Sequence, residues 1–157
     1  MGDIFSAPTP SGKTLNLPEV KLLAPCKPTK VIAVGLNYRS HIGNRPVPEY
    51  PGLFAKYPSS IIGQEENIVM PSDATDLHYE GELVIVIGKK AKNVSVSKAS
   101  DYIFGVTAGN DVSERKWQQA DLQWLRAKAS DTFGPVGPAI ATGLNYNDLL
   151  LLSLIHI

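Results

Sequence analysis

The stretch His78-Tyr79-Glu80-Gly81-Glu82-Leu83-Val84-Ile85-Val86-Ile87 decides how the chain is read. Its alternating, β-branched character predicts a strand over residues 79–88. Residues two apart in a strand share a face and lie about 7 Å apart along the chain. Glu80 and Glu82 therefore project to one side, followed there by Val84 and Val86. Tyr79, Gly81, Leu83, Ile85 and Ile87 take the other side. Two carboxylates that run into apolar core repel each other and lift a pKa unless a cation lies between them. The bare Glu-x-Glu pattern also fits a solvated strand end with both side chains in water. Gly81 leaves the back of the strand open for close packing.

A second apolar strand is predicted over residues 102–108, and Asn110-Asp111 follows directly. Residues 113–125 carry Trp117, Leu122 and Leu125 at mixed five- and three-residue spacing and are read as one helix. Asp111 thus falls at a strand-to-helix junction, a common place for ligand-binding residues, and is the expected third ligand beside Glu80 and Glu82. An all-oxygen set of this kind suits Mg²⁺, with Mn²⁺ or Ca²⁺ as alternatives, and does not suit zinc.

Outward from this centre, Val31-Ile32-Ala33-Val34-Gly35 reads as a short buried strand. Residues 1–29 are rich in Pro, Gly, Ser and Thr and read as a small accessory segment or linker before a main domain at 30–151. Residues 44–60 hold four prolines and two tyrosines without helical period, and are expected to form one long functional loop. Residues 91–95 read as a turn and 98–100 as one short helical turn. Pro135-Val136-Gly137-Pro138 reads as a turn, and Ala139-Ile140-Ala141-Thr142 as a final strand. No internal repeat is visible. Leu152-Ser153-Leu154-Ile155-His156-Ile157 matches what a common transposase sequencing adapter encodes in frame. Residues 152–157 are accordingly expected to be a non-native tail, and His156 is given no functional weight.

Composition narrows the function classes. Apolar residues are 43% and charged residues 19%, an ordinary globular balance rather than a disordered one. Lys and Arg number 15, as do Asp and Glu, so the formal charge is zero and offers no case for nucleic acid or an anionic membrane. Cys26 is the only cysteine, which excludes an intrachain disulfide and thiolate-rich zinc sites. No stretch has the pattern of a secretory signal or the ~20 apolar residues of a membrane span, so the expected compartment is the cytoplasm.

With these pieces in place, the chain resembles the fumarylacetoacetate hydrolase family, specifically its catalytic C-terminal-type domain. The segments that carry the resemblance are Gly35-Leu36-Asn37-Tyr38-Arg39-Ser40-His41, Leu53-Phe54-Ala55-Lys56, His78-Tyr79-Glu80-Gly81-Glu82-Leu83, Gly109-Asn110-Asp111-Val112-Ser113-Glu114-Arg115, and the run from Lys128 to Pro138. They fall in the family's order and spacing across roughly residues 20–150. The resemblance implies an α+β, β-rich fold of the mixed β-sandwich roll type, here incomplete, and a homodimer when full length. It implies a metal-dependent enzyme acting on a diketo or 2-oxo acid, by C–C hydrolysis, isomerisation or decarboxylation through a metal-stabilised enolate. It places Glu80, Glu82 and Asp111 as Mg²⁺ ligands, His41 as general base, and Lys128 as the cation near a developing oxyanion. Arg115 and Gln118 match substrate-contacting positions. Each role is chemically apt: a metal polarises an enolisable oxygen, an ammonium adds a second positive centre, and imidazole titrates near neutrality.

The sequence departs from the family pattern in two places. Many members carry Glu three residues after the base histidine, and here that position is Asn44. An amide orients water but cannot accept a proton, which shifts the expectation from hydrolysis toward isomerisation or decarboxylation. The family's domain also continues for about a third more, with a Gly-Thr-rich loop that completes the substrate pocket. The chain is therefore expected to be partial, with unpaired sheet edges and little activity of its own. A non-catalytic metal- or oxo-acid-binding relative is the alternative reading.

Overall fold

The computed structural model describes residues 9–150; the tail expected at 152–157 lies outside the described residues. The architecture is α+β and strand-rich. β1 (Val31–Gly35) pairs antiparallel with β2 (Gly52–Lys56) as a separate ribbon, joined through the short helix α1 (Arg39–Ile42). β3 (Ile61–Ile62) and β4 (Leu77–His78) are two-residue strands, and β5 (Gly81–Ile87) is the long strand of the opening motif. β6 (Ile103–Asn110) pairs antiparallel with β5, bringing Gly81 opposite Asn110 and Glu82 opposite Gly109. β7 (Ser113–Glu114) pairs with β4, and α2 (Arg115–Ala120) and α3 (Leu125–Ala129) follow. β8 (Gly134–Ala141) closes the main sheet in the order β3-β8-β6-β5.

The expected division of faces on β5 is present. Glu82, Val84 and Val86 are half-buried, whereas Leu83, Ile85 and Ile87 face outward. The strand begins one residue after Glu80, however. Asn110 explains this: its side-chain oxygen accepts from the Glu80 N–H at 3.0 Å, and Glu80's carbonyl accepts from Asp111 N–H at 2.9 Å. Glu80 is tied to the end of β6 by these two bonds rather than by a continued ladder.

Other expectations are corrected. Residues 44–60 are not one loop, because β2 lies within them and buries Lys56. The single helix expected over 113–125 is broken. Asp121 turns extended after α2, and Trp124 takes a left-handed conformation (φ 59°) before α3. Two contacts outweigh the helical preference. Arg126 grips the Asp121 carboxylate through Nε at 2.8 Å and Nη2 at 2.9 Å, and Trp124 packs edge-on against Phe54 with ring centroids 5.8 Å apart. The Pro135–Pro138 run lies inside β8 rather than forming a turn. Proline is tolerated there because β8 pairs irregularly with β6, with a register shift between Val106 and Ala108.

Among the described residues the largest fully buried side chains are Phe133, Glu114, Val112, Ser60 and Ser113, so the core sits beneath the end of the sheet that carries the acidic residues. Residues before 30 do touch the main body. Lys21 pairs with Glu66 at 2.8 Å, and a Cβ on Gly63 would lie 2.5 Å from the Ala24 nitrogen. Among the described residues, no helix is long and apolar enough to cross a membrane.

Candidate metal centre and substrate site

Three elements converge on one point: the segment before β5, the first turn of β5, and the end of β6. They bring Glu80, Glu82 and Asp111 together so that one carboxylate oxygen of each lies within 4.8 Å of the others. Asp111 is buried, and the two glutamates are half-buried. Ser113 helps hold the set, its single hydroxyl proton shared between the Asp111 carbonyl at 3.0 Å and Glu80 Oε1 at 3.3 Å.

Lys128, at the end of α3, is 3% exposed and points into the cluster. Its Nζ lies 2.7 Å from Asp111 Oδ2 and 3.1 Å from Glu80 Oε2. The ammonium also stands 5.1 Å from the centre of the Phe54 ring, a cation–π distance. Arg115, the first residue of α2, pairs with Glu80 Oε1 at 2.6 Å and donates to Gln118 Oε1 at 2.8 Å. The sequence-expected Lys128, Arg115 and Gln118 are thus gathered around the acidic residues.

His41 is not part of this gathering. It is exposed on α1, and its ring meets Tyr38 edge-on at 6.0 Å. Among the described residues, no hydrogen bond or ion pair joins its ring to the carboxylates. Asn44 is likewise exposed. His78, which opens the motif, pairs outward with Asp76 at 3.0 Å.

The local charges explain opposite behaviour in the two glutamates. Burial would raise the Glu80 carboxyl, but Lys128 and Arg115 outweigh it and hold the group below the ordinary glutamate range. Burial raises Glu82, and the neighbouring Asp111 and Glu80 push it further the same way. Of the two glutamates, Glu82 is therefore the one with more to gain from a cation. The donors are all carboxylate oxygens, the chemistry of a hard divalent cation such as Mg²⁺, Mn²⁺ or Ca²⁺, and the set fits that group.

Lys56 and Glu114 carry weight that sequence reading did not assign. Lys56, on β2, is 5% exposed and lies 2.5 Å from Asp111 Oδ1. Its Nζ also donates to the backbone carbonyls of Lys128 and, at 3.4 Å, Val112. Glu114 is fully buried and accepts from three backbone N–H groups: Trp117 at 2.6 Å, Asp76 at 2.8 Å and Thr75 at 3.0 Å. It caps α2 and so fixes the helix that presents Arg115 and Gln118. The only available signals were their places inside the Leu53–Lys56 and Gly109–Arg115 segments.

The strand-rich frame and the oxygen-donor trio flanked by cations define a protein built around a candidate divalent-metal centre. Residues 30–154 match the family model described as fumarylacetoacetate (FAA) hydrolase C-terminal. The chain belongs to the fumarylacetoacetate hydrolase family. It is 50% identical over 143 residues to Protein Rv2993c of Mycobacterium tuberculosis, covering 89% of this chain and 54% of that protein. It is 43% identical over 129 residues to the mitochondrial oxaloacetate tautomerase FAHD2A of Bos taurus, covering 79% of this chain and 41% of that one. The crystal structure of 5-carboxymethyl-2-hydroxymuconate delta-isomerase from Mycobacterium smegmatis superposes with a TM-score of 0.81 at 46% identity, over 90% of this chain and 55% of that chain. The chain spans about half the length of the relatives it matches.

Proposed function

We propose that the chain is the metal-binding part of an enzyme that takes an enolisable diketo or 2-oxo acid through an enolate. The observation that carries this reading is the trio Glu80, Glu82 and Asp111 within 4.8 Å, with the Lys128 ammonium on two of its members. The names of the similar tautomerase and delta-isomerase, both of which describe proton relocation in such acids, support it. Mg²⁺ as the ion, a homodimer of the complete protein and a cytoplasmic location belong to the same reading, the homodimer on the family resemblance alone.

A divalent cation held by Glu80, Glu82 and Asp111 would supply Lewis-acid polarisation of the 2-oxo oxygen. Lys128 would donate to that oxygen as negative charge develops, a role supported by its ammonium lying against the same carboxylates. Arg115 and Gln118, linked at 2.8 Å, form a polar pair suited to hold a substrate carboxylate. The family resemblance gives removal of the α-proton to His41, on α1. Asn44 gives no second carboxylate with which to activate water, which favours isomerisation or decarboxylation over hydrolysis.

The test is turnover by the intact protein with Mg²⁺ against the enol form of oxaloacetate, acylpyruvates and hydroxymuconate-type acids, beside an EDTA-treated sample. The expected result is metal-dependent proton relocation, abolished in Glu82→Gln and Asp111→Asn. Hydrolysis appearing only in Asn44→Glu would assign the altered dyad its part in choosing the reaction. The exposed, cluster-independent His41 favours a second reading, a relative that binds metal and oxo acid without turnover. Oxalate binding that needs Mg²⁺, with no conversion of any of these acids, would establish that one instead.

A further inference from the structure

Lys56 is a buried lysine that the chemistry above does not use. Burial pulls its pKa down, the larger effect, while Asp111 pulls it up. Its three acceptors are what distinguish it. One is Asp111 Oδ1, one is the backbone carbonyl of Lys128, and one is the backbone carbonyl of Val112. A single ammonium therefore joins the end of β6, the residue after Asp111, and the end of α3. Asp111 has two oxygens, and they are divided: Oδ1 faces Lys56, whereas Oδ2 faces Lys128 and, through it, Glu80.

We propose that Lys56 is a positioning residue for the metal centre, acting through Asp111. It holds Oδ1 so that Oδ2 is presented to the cluster, and it fixes the backbone from which Lys128 reaches the same place. This rests on the metal reading of Glu80, Glu82 and Asp111. A carboxylate ligand whose outer oxygen is anchored needs no reorientation when a cation arrives, and loss of such anchors typically weakens metal binding by about 10- to 100-fold. Simple electrostatics predicts the opposite sign. Lys56 is a positive charge beside the site, so removing it should strengthen binding of a cation if charge were its whole contribution.

The sign of the change decides the matter. Binding of Mn²⁺ alone is followed by the electron paramagnetic resonance of the free ion, in the intact wild-type protein, Glu82→Gln and Lys56→Met. A parallel variant carries Lys56→Cys in a Cys26→Ser background, alkylated while unfolded with 2-bromoethylamine to rebuild an ammonium of nearly the original length, then refolded. The expected result is a loss of at least about tenfold in Mn²⁺ affinity for Lys56→Met. Recovery to near the wild-type value is expected in the aminoethylated protein. Equal or tighter binding by Lys56→Met overturns the proposal, as does a variant that melts lower but binds Mn²⁺ unchanged. If Lys56→Met does not fold, the aminoethylated and unalkylated forms of the Lys56→Cys protein are compared instead, and equal affinity in the two overturns it. Wild-type protein that takes up no Mn²⁺, or binds it no better than Glu82→Gln, removes the metal reading and this inference with it.

Discussion

Lys128 Nζ lies 2.7 Å from Asp111 Oδ2 and links it to Glu80 Oε2 at 3.1 Å, while Lys56 holds the opposite oxygen of the same aspartate. The two lysines are therefore expected to act on a bound cation in opposite directions. Lys128 competes with it for ligand oxygens, so Lys128→Met should bind Mn²⁺ more tightly than wild type. The same variant loses the donor aimed at a developing oxyanion, and kcat should fall by about 10²- to 10³-fold. A metal titration beside steady-state kinetics separates the two effects. Weaker metal binding in Lys128→Met would place its ammonium in support of the ligands rather than in competition with them.

Glu114 is the residue on which the placement of Arg115 depends. Its carboxylate accepts from Trp117, Asp76 and Thr75, and these bonds hold its pKa below the ordinary range against the effect of burial. Glu114→Ala leaves three part-buried backbone donors without their acceptor, costing up to about 1–3 kcal/mol for each that water does not reach. Glu114→Gln keeps one acceptor and should lose less. In both variants α2 is loosened, so KM for an acidic substrate should rise along with the fall in melting temperature. A melting temperature equal to wild type in Glu114→Ala would show that α2 does not need its cap.

Much of this arrangement was legible in the sequence. Alternation gave the face shared by Glu82, Val84 and Val86, and the strand-to-helix junction pointed to Asp111. The break between α2 and α3 was not legible, because it depends on Trp124 meeting Phe54 and on Arg126 meeting Asp121, contacts that pattern within 113–125 cannot express. Pro135 and Pro138 carried a true turn signal that an irregular pairing overrode. Lys56 was hidden for a related reason. A lysine at the end of a short strand normally reaches water, and only the return of β6 and α3 from far along the chain encloses it. Its neighbour relations are tertiary, whereas Glu80 and Glu82 were singled out by a spacing of two within one strand.

Two glycines of β6 make a contrast that tests the sheet itself. A Cβ at Gly105 would lie 2.4 Å from the Ala141 carbonyl oxygen, a backbone atom of β8. A Cβ at Gly109 would lie 2.5 Å from Val84 Cγ2, a side-chain methyl on β5. The first clash can be relieved only by moving strands apart, the second by turning a valine. Gly105→Ala should therefore cost more than Gly109→Ala, with overpacking of this kind typically worth about 1–3 kcal/mol. Urea unfolding of the two variants measures the difference, and the reverse order would mean that β8 yields more readily than the Val84 side chain.

Glu82 gives the pH dependence. Burial, then Asp111 and Glu80, raises its folded pKa above the unfolded value of about 4.3. Protonated Glu82 thus contributes stability that is fully present below about pH 4 and is lost as the pH rises through the folded pKa. Glu82→Gln stays neutral throughout and escapes that loss. In the metal-free protein, wild type should therefore fall in stability relative to Glu82→Gln as the pH climbs from about 4 toward neutrality. Glu114, whose lowered pKa works in the other direction, is present in both proteins and cancels in the difference, whereas Glu80 loses a repelling neighbour in Glu82→Gln and adds to the same sign. Saturating Mn²⁺ should reverse the order at neutral pH, because the cation then occupies the place the proton leaves and Glu82→Gln has lost a ligand. Melting curves across this range, with and without the ion, read both signs. Parallel curves for the two metal-free proteins would mean that Glu82 is not under pressure from its neighbours, and an order unchanged by Mn²⁺ would remove it from the ligand set.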